Sequence, residues 1–337
     1  MAQTDLGSPG FPLHPLHGMH EPTTDTPPRR PNSVRRTTSI DMTRQEGSLD
    51  PVYLTGSGRD LMTAEDGTAS ELVWASFGAT IDMIPRVVQR IQTDPAIDGI
   101  SRLVGAPAMS GFRAAVDRVA PGLRDRRELL YRLLDDIPVA TLISGHALSA
   151  SGLLGTTGQS GYLPVADQCA GFVTGGLLMS SFEAGDQVVV TGPIAPDIDG
   201  RQDPHAWHRM TPLPIHGMRR RRRLDISCNG SGMVDVDAMF RDTYARGDGQ
   251  ETIVHEYTLA ATVDGGAGVI VRCEAIPRVL PWQECPGAVD SARKIAGMTL
   301  EEVQFRVREE LTGITTCTHL NDLLRSVGDV KALMAHL

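Results

Sequence analysis

The feature that most constrains this chain is an internal repeat. Residues 34–43 read VRRTTSIDMT and residues 218–227 read MRRRRRLDIS, so Asp41 corresponds to Asp225 at an offset of 184 (225 − 41). Arg59-Asp60 then corresponds to Arg241-Asp242, the ATID of residues 79–82 to the ATVD of 261–264, and Arg90 to Arg272, all at 182 (242 − 60). Asp98 and Asp290, and Gly105 and Gly297, follow at 192 (290 − 98), and Gly122 and Gly313 at 191 (313 − 122). The order never changes. The offset jumps once, because about ten extra residues separate Arg272 from Asp290. Two diverged copies of one unit follow, over residues 34–136 and about 218–330.

Each unit reads strands first and helices afterwards. In the second copy, Ile253, His255, Tyr257, Leu259, Ala261 and Val263 alternate along one face of a strand. Val269, Val271, Cys273 and Ala275 make the next. Residues 287–297 and 299–311 read as helices, and residues 313–328 (GITTCTHLNDLLRSVG) end the unit. There Leu320, Leu323, Leu324 and Val327 form one apolar stripe, with Thr316 or Thr318 as the cap and Gly328 at the stop. The expected fold class is α+β, with the two units packed as a pseudo-twofold pair. Residues 1–33, rich in Pro, Thr, Gly and His, read as a disordered tail, where His14, His17 and His20 make at most a weak metal contact. Residues 137–217 read as a connecting segment of irregular β structure, with a strand-like run at 187–190 and a polar loop around His205 and His208. Residues 218–337 form the second repeat and carry the candidate site.

The repeat also acts as an internal control, because the first copy shows what the fold alone requires. His255 aligns with Val73, Cys317 with Arg126 and His319 with Glu128. Cys285 falls near Asp94-Pro95. The second copy therefore adds His255, Cys285, Cys317 and His319 to the framework. Two imidazoles and two thiols are the donor set of a tetrahedral zinc-type or iron site. If only Cys317 and His319 converge, the helix dipole favours a thiolate nucleophile there. Cys273 aligns with Ile91 and reads as a small core residue. Asp242 and Asp264 recur as Asp60 and Asp82, which points to turns or an Arg–Asp pair rather than chemistry. The arginines at 219–223 read as the exposed face of an edge strand, with a phosphate, nucleotide or acyl-CoA contact as the functional alternative.

CPGAVDSARKIAG followed by GITTCTHLNDLL resembles the bacterial domain-of-unknown-function 2889 family, whose members carry a Cys-Pro segment and then Gly-Cys-Thr-His-Leu. The resemblance also takes in RRRRRLDIS, the strand around His255 and Asp242-Thr243, and spans about residues 218–330. The family's Gly before the cysteine is Thr316 here. Many relatives look like a single unit, so this chain looks like a duplicated long form. The resemblance implies an association with acyl-CoA or aromatic catabolism and no defined activity.

A net charge of −9 argues against nucleic-acid binding. No apolar run is long enough to cross a membrane, and no secretory h-region opens the chain. Five cysteines without an export signal read as thiols or ligands in a cytoplasmic protein. The expectation is a metal- or thiol-dependent enzyme acting on a small acid or acyl thioester, with an anionic small-molecule ligand. The alternative is a non-catalytic ligand-binding or accessory protein with a structural Cys/His cluster.

Overall fold

Period-two burial marks the strands of both halves in this computed structural model, which describes residues 18–152, 165–185, 190, 192–200 and 203–337. Ala75, Phe77, Ala79 and Ile81 are buried along one face of a strand, and Tyr257, Leu259, Ala261 and Val263 along another. The first four strands are β1 (Ser33–Thr43), β2 (Val52–Thr63), β3 (Ala69–Asp82) and β4 (Val87–Asp94). Helices α1 (Phe112–Val119), α2 (Pro121–Asp125), α3 (Leu129–Asp135), α4 (Ile137–Ile143), α5 (Gly145–Ala150) and α6 (Leu177–Glu183) follow. Then come β5 (Met218–Cys228), β6 (Met233–Ala245), β7 (Glu251–Asp264) and β8 (Val269–Val279). A 3-10 stretch at Cys285–Ile295 leads to α7 (Val303–Glu310), α8 (Thr318–Ser326) and α9 (Val330–Leu333).

All eight strands form one antiparallel sheet in the order β4-β3-β2-β1-β5-β6-β7-β8. With its helices this is an α+β architecture. Two aliphatic cores lie under the helices, one mainly from each half. They exchange residues at the centre: Val34 packs into the second core, and Tyr244 and Val254 into the first.

The arginine run does not lie on an exposed edge. β5 is central, and all five arginines are between 1 and 8 % exposed. Strand alternation sends them to both faces. On the helix face, Arg220 meets Asp242, Asp136 and Asp322, and Arg222 meets Asp136. On the other face, Arg219 pairs with Asp41, Arg221 with Asp199, and Arg223 with Asp225 and Asp237. The helix-face pairs join a larger set. Arg36, Arg113, Arg132, Arg220, Arg222 and Arg325 interleave with Asp60, Asp135, Asp136, Asp242, Asp322 and Asp329, an equal number of opposite charges. The set ties the halves together, as in Arg132 to Asp329 at 2.8 Å. Its balance is what makes its burial tolerable, since an unpaired buried charge is costly.

The face away from the helices is covered by two segments expected to behave otherwise. Of the predicted tail, residues 1–17 lie outside the described residues. From residue 18 the chain is held in place: Leu280 N–H donates to Met19 O at 3.0 Å, and the Thr23 N–H donates to Glu256 Oε1 at 2.7 Å. The connecting segment carries α4, α5 and α6 and is otherwise irregular where described, with one isolated bridge from Ile194 to Thr252, and most of the strand-like run at 187–190 lies outside the described residues. The loop around His205 and His208 is not simply polar. Trp207 is buried and donates from Nε1 to Ile198 O at 2.8 Å. His208 is buried between the hydroxyls of Thr37 and Ser39, at 2.9 Å from each. Among the described residues no helix is long and apolar enough to cross a membrane.

Candidate functional site

The site forms where β6, β7 and α8 meet, at the border between the two cores. The register of β6 against β7 shifts after Asp242, a bulge that leaves Asp242 opposite His255. α8 supplies the third residue. Its stripe of Leu320, Leu323, Leu324 and Val327 is fully buried, as its spacing predicts. The cap is Cys317, in extended conformation, rather than a threonine. That packing lays His319 over the sheet.

Asp242, His255 and His319 each offer one ligand atom, and these atoms all lie within 4.8 Å of one another. The imidazoles stack with centroids 3.8 Å apart and planes at 20°. His255 Nδ1 is 3.5 Å from Asp242 Oδ2. His255 Nδ1 and His319 Nε2 are buried and have no hydrogen-bond partner, an arrangement proteins avoid unless something else uses the atom. Burial, then His255, then Arg220 hold His319 well below the usual histidine range, so its ring is neutral and a free donor. Arg220 Nη1 donates to both Asp242 oxygens at 2.9 Å, and its guanidinium lies 4.6 Å above the Phe240 ring. Arg220 is shared with Asp136 and Asp322, so its charge is offset from several sides. The donor set therefore fits a divalent ion: one carboxylate and two imidazoles.

Of the four residues singled out from the sequence, the structure brings the two histidines together. Cys285 and Cys317 are not among the atoms within 4.8 Å of one another in that group. At Cys317 burial and the helix entrance act in opposite directions. The amides of Leu320 and His319 pull the Cys317 thiol down, as a helix entrance should, but burial outweighs them and pushes it up to about 11. Cys273 is a buried core thiol, as expected. Asp264 and Asp82 serve turns, accepting from the Gly266 N–H at 2.9 Å and the Ile84 N–H at 3.0 Å.

Asp242 is the residue that sequence reasoning missed. Its recurrence as Asp60 marked it as framework, and so it is: Arg36 pairs with Asp60 as Arg220 pairs with Asp242. Subtracting what the copies share removed a residue that pairs with Arg220 and also lies within 4.8 Å of both imidazoles. The cross-strand register of the β6–β7 hairpin was the signal that would have recovered it.

Residues 218–333 match the model of the family described as a protein of unknown function, DUF2889. That segment is a DUF2889 domain. It contains Asp242, His255 and His319, along with Cys285 and Cys317. No curated protein and no solved structure matches the chain.

Proposed function

We propose that this chain is a metal-dependent cytoplasmic enzyme acting on a small acid or acyl thioester, with zinc or iron held by Asp242, His255 and His319. The observation that carries the reading is the pair of unpartnered imidazole nitrogens grouped with an Asp242 oxygen within 4.8 Å. When bound, such an ion supplies Lewis-acid polarisation of a carbonyl or activation of water. The protein's own part is placement. The bulge sets Asp242 against His255, the leucine stripe fixes His319, and two hydrogen bonds from Arg220 hold the Asp242 carboxylate in one orientation. The substrate class rests on the family resemblance alone, because the arginine run is buried and paired. Free thiols at all five cysteines fit a reducing compartment.

Metal analysis tests the reading. Purified protein should carry about one equivalent of divalent metal at this site, and His255→Ala, His319→Ala and Asp242→Asn should each lose it. Full metal content in all three variants overturns the assignment. The alternative, a non-catalytic protein with a structural ion, draws support from how enclosed the group is: Asp242 is 0 % and the His255 side chain 12 % exposed. An exchangeable water on the bound ion, read by proton relaxation of a manganese-loaded sample, would favour the enzyme.

We also propose that the halves arose by duplication of one unit about a pseudo-twofold axis. β3 and β7 have bounds offset by 182 at both ends (251 − 69, 264 − 82). The register shifts after Asp60 and Asp242 keep the same offset (242 − 60). In the central pair Thr38 faces Arg222, its own counterpart at 184 (222 − 38), as an axis through that point requires.

A further inference from the structure

The framework arginines of the two halves each take a second carboxylate from across the middle of the molecule, and they take it at different ends. Arg36 uses its side-on edge, Nε and Nη2, for Asp60, and Asp329 of the second half lies 3.2 Å from the remaining Nη1. Arg220 is turned the other way. Its Nη1 serves both oxygens of Asp242, and its side-on edge, though buried, makes no hydrogen bond. Along that edge lie Asp136 of the first half, with Oδ2 3.8 Å from Nε, and Asp322, with Oδ2 3.5 Å from Nη2. Both carboxylates are fixed by other arginines: Arg222 donates to Asp136 at 2.8 and 3.2 Å, and Arg325 reaches Asp322 at 2.5 Å. At the offset of 191 that relates His319 to Glu128 (319 − 128), Asp322 is matched by Tyr131 (322 − 131), so the first half lacks this carboxylate.

We propose that Asp136 and Asp322 are positioning residues for the Asp242–His255–His319 site, an inference that rests on the metal reading above. The side-on edge is the one with which a guanidinium grips a carboxylate at two points. Two negative charges beside that edge of Arg220 keep it from turning onto Asp242 in the way that Arg36 has turned onto Asp60. Asp242 is then bound by a single nitrogen of Arg220, and its oxygens keep lone pairs for an ion. The first half holds none of the three ligands, and through Asp136 it sets how one of them is presented.

Proton NMR of the full-length, metal-free protein reads the two edges directly. The Nε–H of Arg36 should resonate downfield of that of Arg220, since only the former is hydrogen-bonded. In Asp136→Asn the Arg220 resonance should move toward the Arg36 position. Cobalt(II) affinity should then fall about tenfold or more, with a changed visible spectrum of the bound ion. Asp322→Asn should act in the same direction. Asp329→Asn, which removes the crossing charge from Arg36 instead, should leave cobalt affinity and spectrum unchanged however much stability it costs. Matching Arg36 and Arg220 resonances in the unaltered protein overturn the proposal, and that measurement needs no variant to fold. Unchanged cobalt affinity in Asp136→Asn, or an equal loss in Asp329→Asn, overturns it too. Cobalt binding that survives in His255→Ala and His319→Ala fails the metal reading instead, and the resonances still decide the positioning of Asp242.

Discussion

Asp60 and Asp242 occupy corresponding places in the two halves, and their surroundings differ in an informative way. Arg36 grips Asp60 with Nε and Nη2, one bond to each oxygen at 2.7 Å, the paired geometry that guanidinium and carboxylate favour. Arg220 meets Asp242 end-on, with Nη1 alone serving both oxygens. Opposite Asp60 stands Val73, 40 % exposed, and the counterpart of His319 is Glu128, which pairs with Arg126 at the surface. The first half keeps an ion pair as framework. The second half loosens the same pair and places two imidazoles against the carboxylate. The second half thus keeps the structural pair and groups two imidazoles with its carboxylate.

The sharpest way to break this comparison is to remove each aspartate in turn. Asp60→Ala and Asp242→Ala each leave a buried guanidinium without its main partner and should cost about 3–5 kcal/mol by denaturant unfolding. Only Asp242→Ala should also abolish metal binding; equal metal loss in both would erase the distinction. Next in size, His255→Ala and His319→Ala should lower metal affinity by more than about 100-fold, beyond what loss of an outer-shell partner causes. Unfolding free energy should change by only about 1 kcal/mol, because no ion pair of the buried set is broken.

A smaller effect concerns the opposite face, where β1 has Thr37 and Ser39 in the places of Arg221 and Arg223. His208 sits on those hydroxyls, and burial with the charges of Arg59, Arg221 and Arg219 lowers it to about 3. The unfolded chain takes up a proton near pH 6.5 and the folded chain does not until about 3. Stability from this group is complete above pH 6.5 and falls as pH drops through that window, by about 2 kcal/mol at pH 5. His208→Gln should flatten that slope in unfolding curves measured from pH 7 to 5. An unchanged slope would mean that the ring does not discriminate between the halves at all.

Much of the fold was legible because its signals are local. Alternation located β7 and β8, and the leucine stripe located α8. The repeat predicted two equivalent sets of strands. What sequence reading lost depends on long-range packing. Five consecutive arginines resemble a solvated edge until their carboxylate partners, Asp41, Asp136, Asp199, Asp225, Asp237 and Asp242 among them, are brought in from elsewhere in the chain. His255 and His319 stand out in the sequence because the first copy lacks them, and the structure stacks their rings. Cys285 and Cys317 do not join the grouped Asp242, His255 and His319 atoms, a distance that spacing along a chain does not encode.

The continuity of the sheet has one more consequence. Two separate four-stranded sheets would present four open margins, each a template on which a stray chain can add a strand. Joining them through β1 and β5 leaves only β4 and β8 at the margins, one from each half. The bridge from His20 to Val279 then caps part of β8. A single eight-stranded sheet of this build is thereby less prone to sticking to its neighbours than two four-stranded sheets would be.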